Sequence, residues 1–297
     1  MRARGLDRRM TVHLSTPGAD DLSRVVGALR EWQSDADPVQ LHPGDIGWFW
    51  RWGTAATAGA VRTWARDGHA IAVGLLDGER LLRLTTAPDV RRDEELARRM
   101  AEDVGAPDRG VLPGGEAVVE APPGALVADL LGEAGWADDD PWAPLVRDLT
   151  APVEDAGVRV EVAGPDRATE RTAVHRSAFG GPTFTDDRWH AMAAGPLYAD
   201  ARCLVAYDDA GTAVGATTVW SAGPGRPGLI EPLGVHPDHR GHGYGRAITV
   251  AGAAALRDLG SSSAVVITES ARTAAVATYV SAGFERLPDR YDRRRAE

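Results

Sequence analysis

The sequence lacks several residue types and segments, and each absence excludes a class of protein. One cysteine, Cys203, occurs among 297 residues, so no disulfide can form within the chain and no multi-cysteine zinc site can be built. No apolar run approaches the roughly 20 residues that a membrane-spanning helix needs. No apolar segment follows the arginine-rich N-terminus, as it would in a signal peptide. These absences predict a cytoplasmic protein with no membrane partner.

Lysine and asparagine are also missing, so arginine supplies all 33 of the basic Lys and Arg residues. Asp and Glu number 43, which gives a formal net charge of -10 at pH 7 and argues against a nucleic acid as the main partner. The 43% hydrophobic and 26% charged content is typical of a globular protein. The length suits two domains of roughly 150 residues each.

One stretch, from Leu229 to Arg246, combines three local patterns. An apolar run ending at Val235 is typical of a buried strand, and Pro237-Asp238 then begins a turn with glycines at 241, 243 and 245. An alanine-rich helical pattern follows. This order places free backbone N–H groups at a helix N-terminus, and the glycines let a ligand approach the backbone closely. The stretch therefore predicts a pyrophosphate site.

The landmarks of this stretch occur twice. Pro88-Asp89 corresponds to Pro237-Asp238 about 149 residues later, and the sequence A-G-W at 134–136 corresponds to A-G-F at 282–284. The pattern indicates an internal repeat of one α/β unit. Charged residues at 92–95 replace the glycines in the first copy, so we expect that copy not to hold a pyrophosphate.

The repeat predicts domains at 1–152 and 153–297, with the proline- and acid-rich segment 141–154 leading into a linker. Both copies should contain a hairpin and a strand followed by a helix. The elements predicted from periodicity are a helical stretch around 58–66, strands at 69–76 and 79–86, a helix at 88–104, a helix at 166–179, strands at 203–207, 213–220 and 264–268, and a helix at 273–282.

With these motifs in order, the second half resembles the GCN5-related N-acetyltransferase (GNAT) superfamily. Arg240, Gly243 and Gly245 match that family's Arg/Gln-x-x-Gly-x-Gly/Ala signature, the strand A-V-V-I-T-E-S follows, and a helix with Tyr279 closes on Gly283-Phe284. The resemblance covers residues 156–297 well and 10–150 as a degenerate copy. It implies an α/β protein of two tandem GNAT-like domains, as in mycothiol synthase, each with a mostly antiparallel sheet flanked by helices.

The resemblance implies acetyl-CoA as cosubstrate and no metal. Backbone groups of Leu233, Gly234 and Val235 would face the pantetheine arm. The pyrophosphate would be held chiefly by main-chain N–H groups of Arg240, Gly241, His242, Gly243, Tyr244, Gly245 and Arg246. Tyr279 would protonate the leaving thiolate, unless it is only a core aromatic. Arg272 stands where the family usually has Asn, and an arginine cannot accept the pantetheine amide hydrogen bond.

Acetyl transfer to an amine needs a base, because an alkylammonium with a pKa of about 10.4 is protonated at pH 7. Glu231, in the signature strand, is the first candidate. Glu269, at the end of the next strand, competes with it, and a water molecule is a third alternative. Glu231 could instead bind a cationic substrate without taking a proton, or point to solvent.

Four further features have two interpretations. Trp48 and Trp52 form either an aromatic substrate pocket or, the favoured alternative, a helix packed on a core. His175 either lines the acceptor cleft or is half-buried in packing. The segment 179–189, with Asp186-Asp187, would suit a cationic acceptor. His236, His239 and His242 are expected to lie on a solvated turn rather than to bind metal.

The sequence therefore predicts an N-acetyltransferase that moves an acetyl group to a primary amine of a small molecule or peptide, by direct transfer in a ternary complex. A homodimer is left open. One alternative is a non-catalytic CoA-binding or regulatory protein. The other is a mycothiol-synthase-like acyltransferase that acts on a small thiol precursor.

Overall fold

A computed structural model describes residues 11–296. Its strands are β1 (His13–Ser15), β2 (Val61–Arg66), β3 (His69–Leu76), β4 (Leu81–Thr86), β5 (Ala117–Glu120), β6 (Ala137–Asp148), β7 (Arg159–Val162), β8 (Ala201–Tyr207), β9 (Ala213–Ser221), β10 (Gly228–Val235), β11 (Ser263–Glu269), β12 (Glu285–Arg286) and β13 (Arg290–Arg295). Its α-helices are α1 (Leu22–Glu31), α2 (Pro43–Phe49), α3 (Thr54–Ala60), α4 (Glu94–Gly105), α5 (Leu126–Glu133), α6 (Ala168–Phe179), α7 (Asp186–Ala193), α8 (Tyr244–Asp258) and α9 (Thr273–Ser281).

One mixed sheet runs through both halves, in the order β1-β2-β3-β4-β5-β13-β6-β11-β10-β9-β8-β7, with β12 paired to β6. Within the described residues, the parallel pairs are β4 with β5 and β10 with β11, and the others are antiparallel. The same parallel pair followed by a helix therefore occurs once in each half. The predicted α/β class and the tandem, mostly antiparallel GNAT-like architecture are confirmed.

The central strands are exchanged between the halves. Strand β6 of the first half pairs with β11 from Asp148↔Ser263 to Trp142↔Glu269, and β13 of the second half pairs with β5. The segment 141–154, expected to end the first domain and lead into a linker, instead continues β6 as far as Asp148. Prolines suggested a break because they cannot donate to a ladder, yet Leu145 is fully buried in the sheet. The division at 152/153 stays a proposal.

The repeat is confirmed by matching helix ends. The N–H of Trp136 donates to the Leu131 carbonyl over 3.0 Å at the end of α5, and the N–H of Phe284 donates to the Tyr279 carbonyl over 3.1 Å at the end of α9. We call β1–β6 the first copy and β7–β13 the second copy. Helices α4 and α8 likewise each follow the first strand of the parallel pair.

Two predicted helices begin or end elsewhere. The stretch predicted as helical around 58–66 is wrong beyond Ala60, where β2 begins with Val61. Val61 and Trp64 are fully buried, and β-branched and aromatic residues fit a half-buried strand better than a helix. The helix predicted at 88–104 starts only at Glu94, because Asp93 caps it.

Helix α2 of the first copy packs directly on β9 of the second. A Cβ at Gly44 or Gly47 would lie 2.5 or 2.4 Å from atoms of Trp220, so only glycine allows this contact. The copies therefore share a packed interface as well as strands. No helix in the described part of the chain is both long and apolar enough to cross a membrane.

Candidate active site

Strands β10 and β11 pair only at their start and then separate. They pair at Gly228↔Ala264 and Leu229↔Val265, and a bulge between Ile230 and Leu233 interrupts the pairing of β10 with β9. A cavity of about 530 Å³ lies beside the separation and is lined by residues of both strands, including Leu233. Gly234 and Val235 continue β10 beyond it. The gap is an opening in which an extended ligand could lie between the two strands.

The glycine-rich turn lies at the exposed N-terminus of α8. Gly241 and Gly243 have φ values of 81° and 85°, which favour glycine. Gly243 is the N-cap of α8 and no side chain caps the helix. The first-turn N–H groups thus have no intrahelical acceptor, and the helix dipole adds positive potential there. This local geometry is suited to an anion.

The two arginines of the turn do not point freely into this site. Arg240 donates from Nη2 to the Ala178 carbonyl over 3.0 Å and from Nε to the Val235 carbonyl over 3.3 Å. Arg246 donates from Nε to the Ser281 carbonyl over 2.9 Å. Both side chains therefore fix the turn, while main-chain groups of residues 240–246, with the exposed His242 and partly exposed Tyr244, surround the helix end.

Glu231 and Tyr279 line the same cavity. The Glu231 side chain is 37% exposed, and its backbone oxygen accepts a hydrogen bond from Trp220 Nε1 over 2.8 Å. Burial raises the pKa of Glu231, with Glu120 and Asp77 adding to the rise and Arg83 opposing it. A carboxylate with a raised pKa is a stronger base than an ordinary surface glutamate.

Tyr279 belongs to the core of the second copy and also borders the cavity. Tyr279 is 7% exposed, and the centroid of its ring lies 6.2 Å from that of Phe284. Burial, and then the Glu231 charge, raise the pKa of Tyr279 to about 12. The phenol is therefore protonated at neutral pH and can donate a proton or a hydrogen bond.

Glu269, the competing base, is held by Arg272. Their side chains form an ion pair of 2.9 Å at the edge of the cavity. The hydrogen bond from Arg272 lowers the pKa of Glu269. Glu269 is consequently the weaker base of the two carboxylates. An asparagine at position 272 could not form this ion pair, because its side chain carries no charge.

A buried row of charges borders the cavity and was missed in the sequence. Arg83 of β4 contacts Asp45 at 2.7 Å and Glu120 at 3.0 Å, and Arg290 contacts Glu120 at 2.9 Å. Burial opposes ionisation of Glu120, but Arg290 and Arg83 prevail and lower its pKa to about 2. Burial and then Glu120 raise the pKa of Asp292 to about 7. The sequence signal was limited to Arg83 inside the apolar β4 and Glu120 at the end of the apolar β5, since Arg290 and Asp292 belong to the charged β13.

A second cavity of about 280 Å³ adjoins the first. Its walls are Trp48, Arg51, Trp52, His175, Phe179, Thr183, Phe184 and Pro232, and the first cavity shares Phe179 and Pro232. The ring of Trp48 lies 4.8 Å from Phe184 and 5.5 Å from His175. The tryptophans are thus both packed and cavity-lining, and His175 faces this cavity rather than the cavity of Glu231.

Two predicted features lie away from both cavities. Asp186 accepts hydrogen bonds from Thr169 over 2.6 Å and from Thr172, so it joins α6 to α7 and is not among the lining residues. Asp186 is therefore not placed to meet an acceptor in either cavity, whereas Phe179, Thr183 and Phe184 of the same segment line the second cavity. His236 and His239 contact each other on the turn, with ring centroids 5.5 Å apart. No cluster of three metal-binding side chains occurs in residues 11–296.

The geometry agrees with a family match. Residues 171–284 match the family described as Acetyltransferase (GNAT) family. The chain carries a GNAT domain. The matched range contains β10, the glycine turn, α8, β11 and the helix with Tyr279, and residues of β10, β11 and that helix line the 530 Å³ cavity.

Related proteins support the same assignment. The mycothiol acetyltransferase of Thermobispora bispora is 36% identical over 155 residues, which cover 48% of this chain and 52% of that protein. The chain spans about half the length of the curated relatives it matches. The match to these relatives therefore agrees with the family match but does not identify the acceptor.

Solved structures share the whole fold. A GNAT-family acetyltransferase from Colwellia psychrerythraea superposes with a TM-score of 0.63 at 14% identity, covering 97% of this chain and 100% of that one. A tandem GNAT protein from the clavulanic acid biosynthesis pathway superposes with a TM-score of 0.57 at 16% identity, covering 95% and 97%. At these identities the likeness establishes the tandem GNAT architecture alone.

Proposed function

We propose that this chain is an acetyl-CoA-dependent N-acetyltransferase that acts on a primary amine by direct transfer in a ternary complex. The observation that carries the proposal is one cavity bordered by the separated β10 and β11, by a carboxylate of raised pKa and by a protonated phenol. A thioester acetyl group lying between the strands would reach both side chains.

The residues present fit acetyl-CoA. The open end of α8 offers main-chain donors without a competing cap, which suits a pyrophosphate. Leu233 to Val235 would pair with the pantetheine arm, and a backbone N–H there would polarise the thioester carbonyl. The cosubstrate supplies the activated acetyl group. The chain's part is to hold that group beside the acceptor amine.

The proton steps are assigned to two side chains. Glu231 removes a proton from the acceptor ammonium, and the freed nitrogen lone pair forms the new C–N bond as the C–S bond breaks. Tyr279 gives its phenolic proton to the departing sulfur. The acetylated nitrogen is still cationic, and it loses a second proton that restores the Tyr279 phenol. Glu231 then gives its proton to solvent, so both groups return to their starting states and one proton is released in each turnover.

Direct transfer is favoured because the chain's single thiol is unsuited to carry an acetyl group. Cys203 is 0% exposed, lies in β8 and contacts Thr218 Oγ1 at 3.3 Å. A covalent acetyl-cysteine intermediate would require this buried strand to open. The amine must then attack the thioester itself.

A second candidate acceptor is an amine-bearing precursor of a small thiol. It is favoured by the name of the 36%-identical relative, mycothiol acetyltransferase. The reaction type and the roles of Glu231 and Tyr279 are the same for this acceptor. An acceptor panel should therefore contain amino-sugar and cysteinyl amines as well as simple alkylamines.

The test is release of free CoA thiol from acetyl-CoA with a panel of amines, for the wild-type chain and Glu231→Gln. We expect Glu231→Gln to lower kcat/KM by roughly 10²- to 10⁴-fold while acetyl-CoA still binds. The wild-type rate should rise with pH as Glu231 loses its proton, at a pH above the ordinary glutamate range, and this limb should vanish in the variant. Glu133→Gln, which changes an exposed carboxylate on α5, is the matched control.

The outcomes separate the alternatives. Acetyl-CoA binding without turnover of any amine supports a non-catalytic CoA-binding protein. An unchanged rate and pH profile in Glu231→Gln moves the base to Glu269 or to water.

A further inference from the structure

The cavity beside the active site contains an unpaired arginine. The Arg51 guanidinium stacks on the ring of Trp48 at 4.4 Å and lies 5.3 Å from the ring of Trp52. Its Nη1 donates to the Trp48 carbonyl over 2.7 Å. Within residues 11–296 no carboxylate oxygen lies within 4.0 Å of its nitrogens, although arginine forms such pairs at many other sites in the chain.

The missing partner matters because Arg51 is largely buried. Burial is the main cause that lowers its pKa, to about 10. The charges of Asp77 and Glu231 oppose this shift but make no contact with the guanidinium. A carboxylate directly against the guanidinium would offset more of the cost of burying the cation. The edge formed by Nε and Nη2 makes no hydrogen bond in the described part of the chain. Such an edge matches the two oxygens of a carboxylate.

The surroundings of this cavity are positive, although the whole chain carries a net charge of -10. Arg188 lies 3.5 Å from the ring of Trp52. Burial and then the charges of Arg171, Arg51 and Arg176 lower the pKa of His175 to about 3, so this imidazole is neutral. An anionic group in this cavity would therefore meet Arg51 and several aromatic rings, with the charges of further arginines nearby.

The neighbouring cavity has the opposite character. Its lining includes Asp77, Glu120 and Glu231, and the shared walls Phe179 and Pro232 join the two spaces. Pro232 directly follows Glu231 in the chain. One small molecule could thus place an ammonium in the acidic cavity and an anion in the aromatic one.

We propose that the aromatic cavity binds the carboxylate end of the acceptor through Arg51, so that the acceptor is a zwitterion with an amine at Glu231 and a carboxylate at Arg51. This inference rests on the proposed N-acetyltransferase function. Trp48 and Trp52, together with Phe179 and Phe184, would cover the apolar segment between the two charges.

The test compares amines that differ only in a carboxylate. The rigid pair is 4-(aminomethyl)benzoate and benzylamine, and the flexible pair is 6-aminohexanoate and hexylamine. We expect the wild-type kcat/KM to favour the acid in at least one pair by about 10- to 100-fold, the range of a charge-assisted hydrogen bond. Arg51→Gln should bring that ratio close to one, mainly through KM, and Arg51→Lys should restore part of it.

Arg24→Gln is the control, because it removes the same charge from an exposed position whose partner is Asp21. It should leave the ratio unchanged. A wild-type ratio near one in both pairs, or a preference for the acid that Arg51→Gln leaves intact, would overturn the proposal.

Failure of the proposed function gives a different result, namely no turnover of any amine. In that case calorimetric titration of 4-(aminomethyl)benzoate into the full chain decides the question. Binding that Arg51→Gln weakens by about tenfold or more supports the carboxylate site. No binding to the wild-type chain, or equal binding to both proteins, refutes it.

Discussion

The N-termini of α4 and α8 occupy equivalent places in the two copies but are chemically opposite. At α4, Asp93 accepts a hydrogen bond from the Leu96 N–H over 2.8 Å and pairs with Arg66 through two contacts of 3.0 Å. At α8 the corresponding cap is Gly243, with no side chain to accept such a bond. The fold supplies a donor-rich helix end twice, but a side chain caps the end of α4 and none caps the end of α8.

The same contrast holds at the proposed catalytic positions. Leu81↔Val118 in the first copy is equivalent to Leu229↔Val265 in the second, so Arg83 stands where Glu231 stands. By the matching helix ends, Leu131 stands where Tyr279 stands. The first copy therefore has neither the base nor the phenol.

Arg83 has nonetheless a place at the site, because its Nη1 lies 3.8 Å from Oε1 of Glu231. Equivalent positions of the two copies face each other there. The first copy thus forms a wall of the second copy's cavity, although it has lost its glycines.

The largest expected effect comes from separating the copies at 152/153. A fragment of residues 153–297 lacks β6. Because every residue of β11 pairs with β6, removing β6 would leave β11 with an unpaired edge beside the cavity. We expect this fragment to show no cooperative thermal unfolding and to aggregate. Circular dichroism melting and gel filtration are the measurements.

A fragment of residues 137–297 is the matched control, since it keeps β6 with β11 and β13. We expect it to unfold cooperatively, with a lower Tm than the full chain because Trp220 loses its contact with α2. A cooperative transition of the 153–297 fragment would show that the exchanged strand is dispensable.

The next effect should come from making α8 resemble α4. Gly243→Asp places a carboxylate at the open helix end, where it competes for the donors and repels a pyrophosphate. We expect acetyl-CoA affinity to fall roughly 100-fold by calorimetry. Gly243→Asn carries a capping oxygen without the charge and tolerates a positive φ, so it should weaken binding by no more than about tenfold. Equal effects of both variants would place the difference between the copies in the capping side chain or the backbone rather than in charge.

What could be predicted from sequence was local. The glycine turn could be identified because strand, turn and helix follow one another within a short segment, whereas Glu231 and Tyr279 were proposed from the resemblance that this order supports. The charged residues that replace the glycines in the first copy were equally evident from the sequence. The open helix end now gives those patterns a physical basis.

What could not be predicted depends on contacts between distant segments. Arg83, Glu120 and Arg290 come from three strands that meet only in the exchanged sheet. The segment 141–154 resembled a linker because its prolines dominate the local pattern, whereas pairing with β11 decides its structure. Arg51 gave no signal, because its significance lies in the carboxylate that it lacks.

A smaller effect is expected for Tyr279→Phe, which makes the second copy resemble the first in lacking a phenol. We expect kcat to fall roughly 10- to 100-fold, at the low end of general acid catalysis because a thiolate leaves readily. The pKa of about 12 implies that Tyr279 stays protonated across the assay range, so the variant should keep the wild-type pH profile. An unchanged kcat at every pH would show that Tyr279 only packs in the core and does not donate the proton.

The smallest effect should come from Asp93→Ala, which removes the side-chain cap of α4 in the first copy. Loss of the cap and of the Arg66 pair should destabilise the protein by about 1–2 kcal/mol, measured by urea unfolding at pH 7. The hydrogen bond from Arg66 lowers the pKa of Asp93, so this contribution is present above the ordinary aspartate pKa and is lost as the pH falls through the lowered value. Asp93→Asn keeps a capping oxygen and should cost less.

Neither variant should bind a second acetyl-CoA, because Glu94 and Glu95 remain in the first turn of α4 and repel an anion. A second binding site in Asp93→Ala would mean that a single carboxylate separates the two copies.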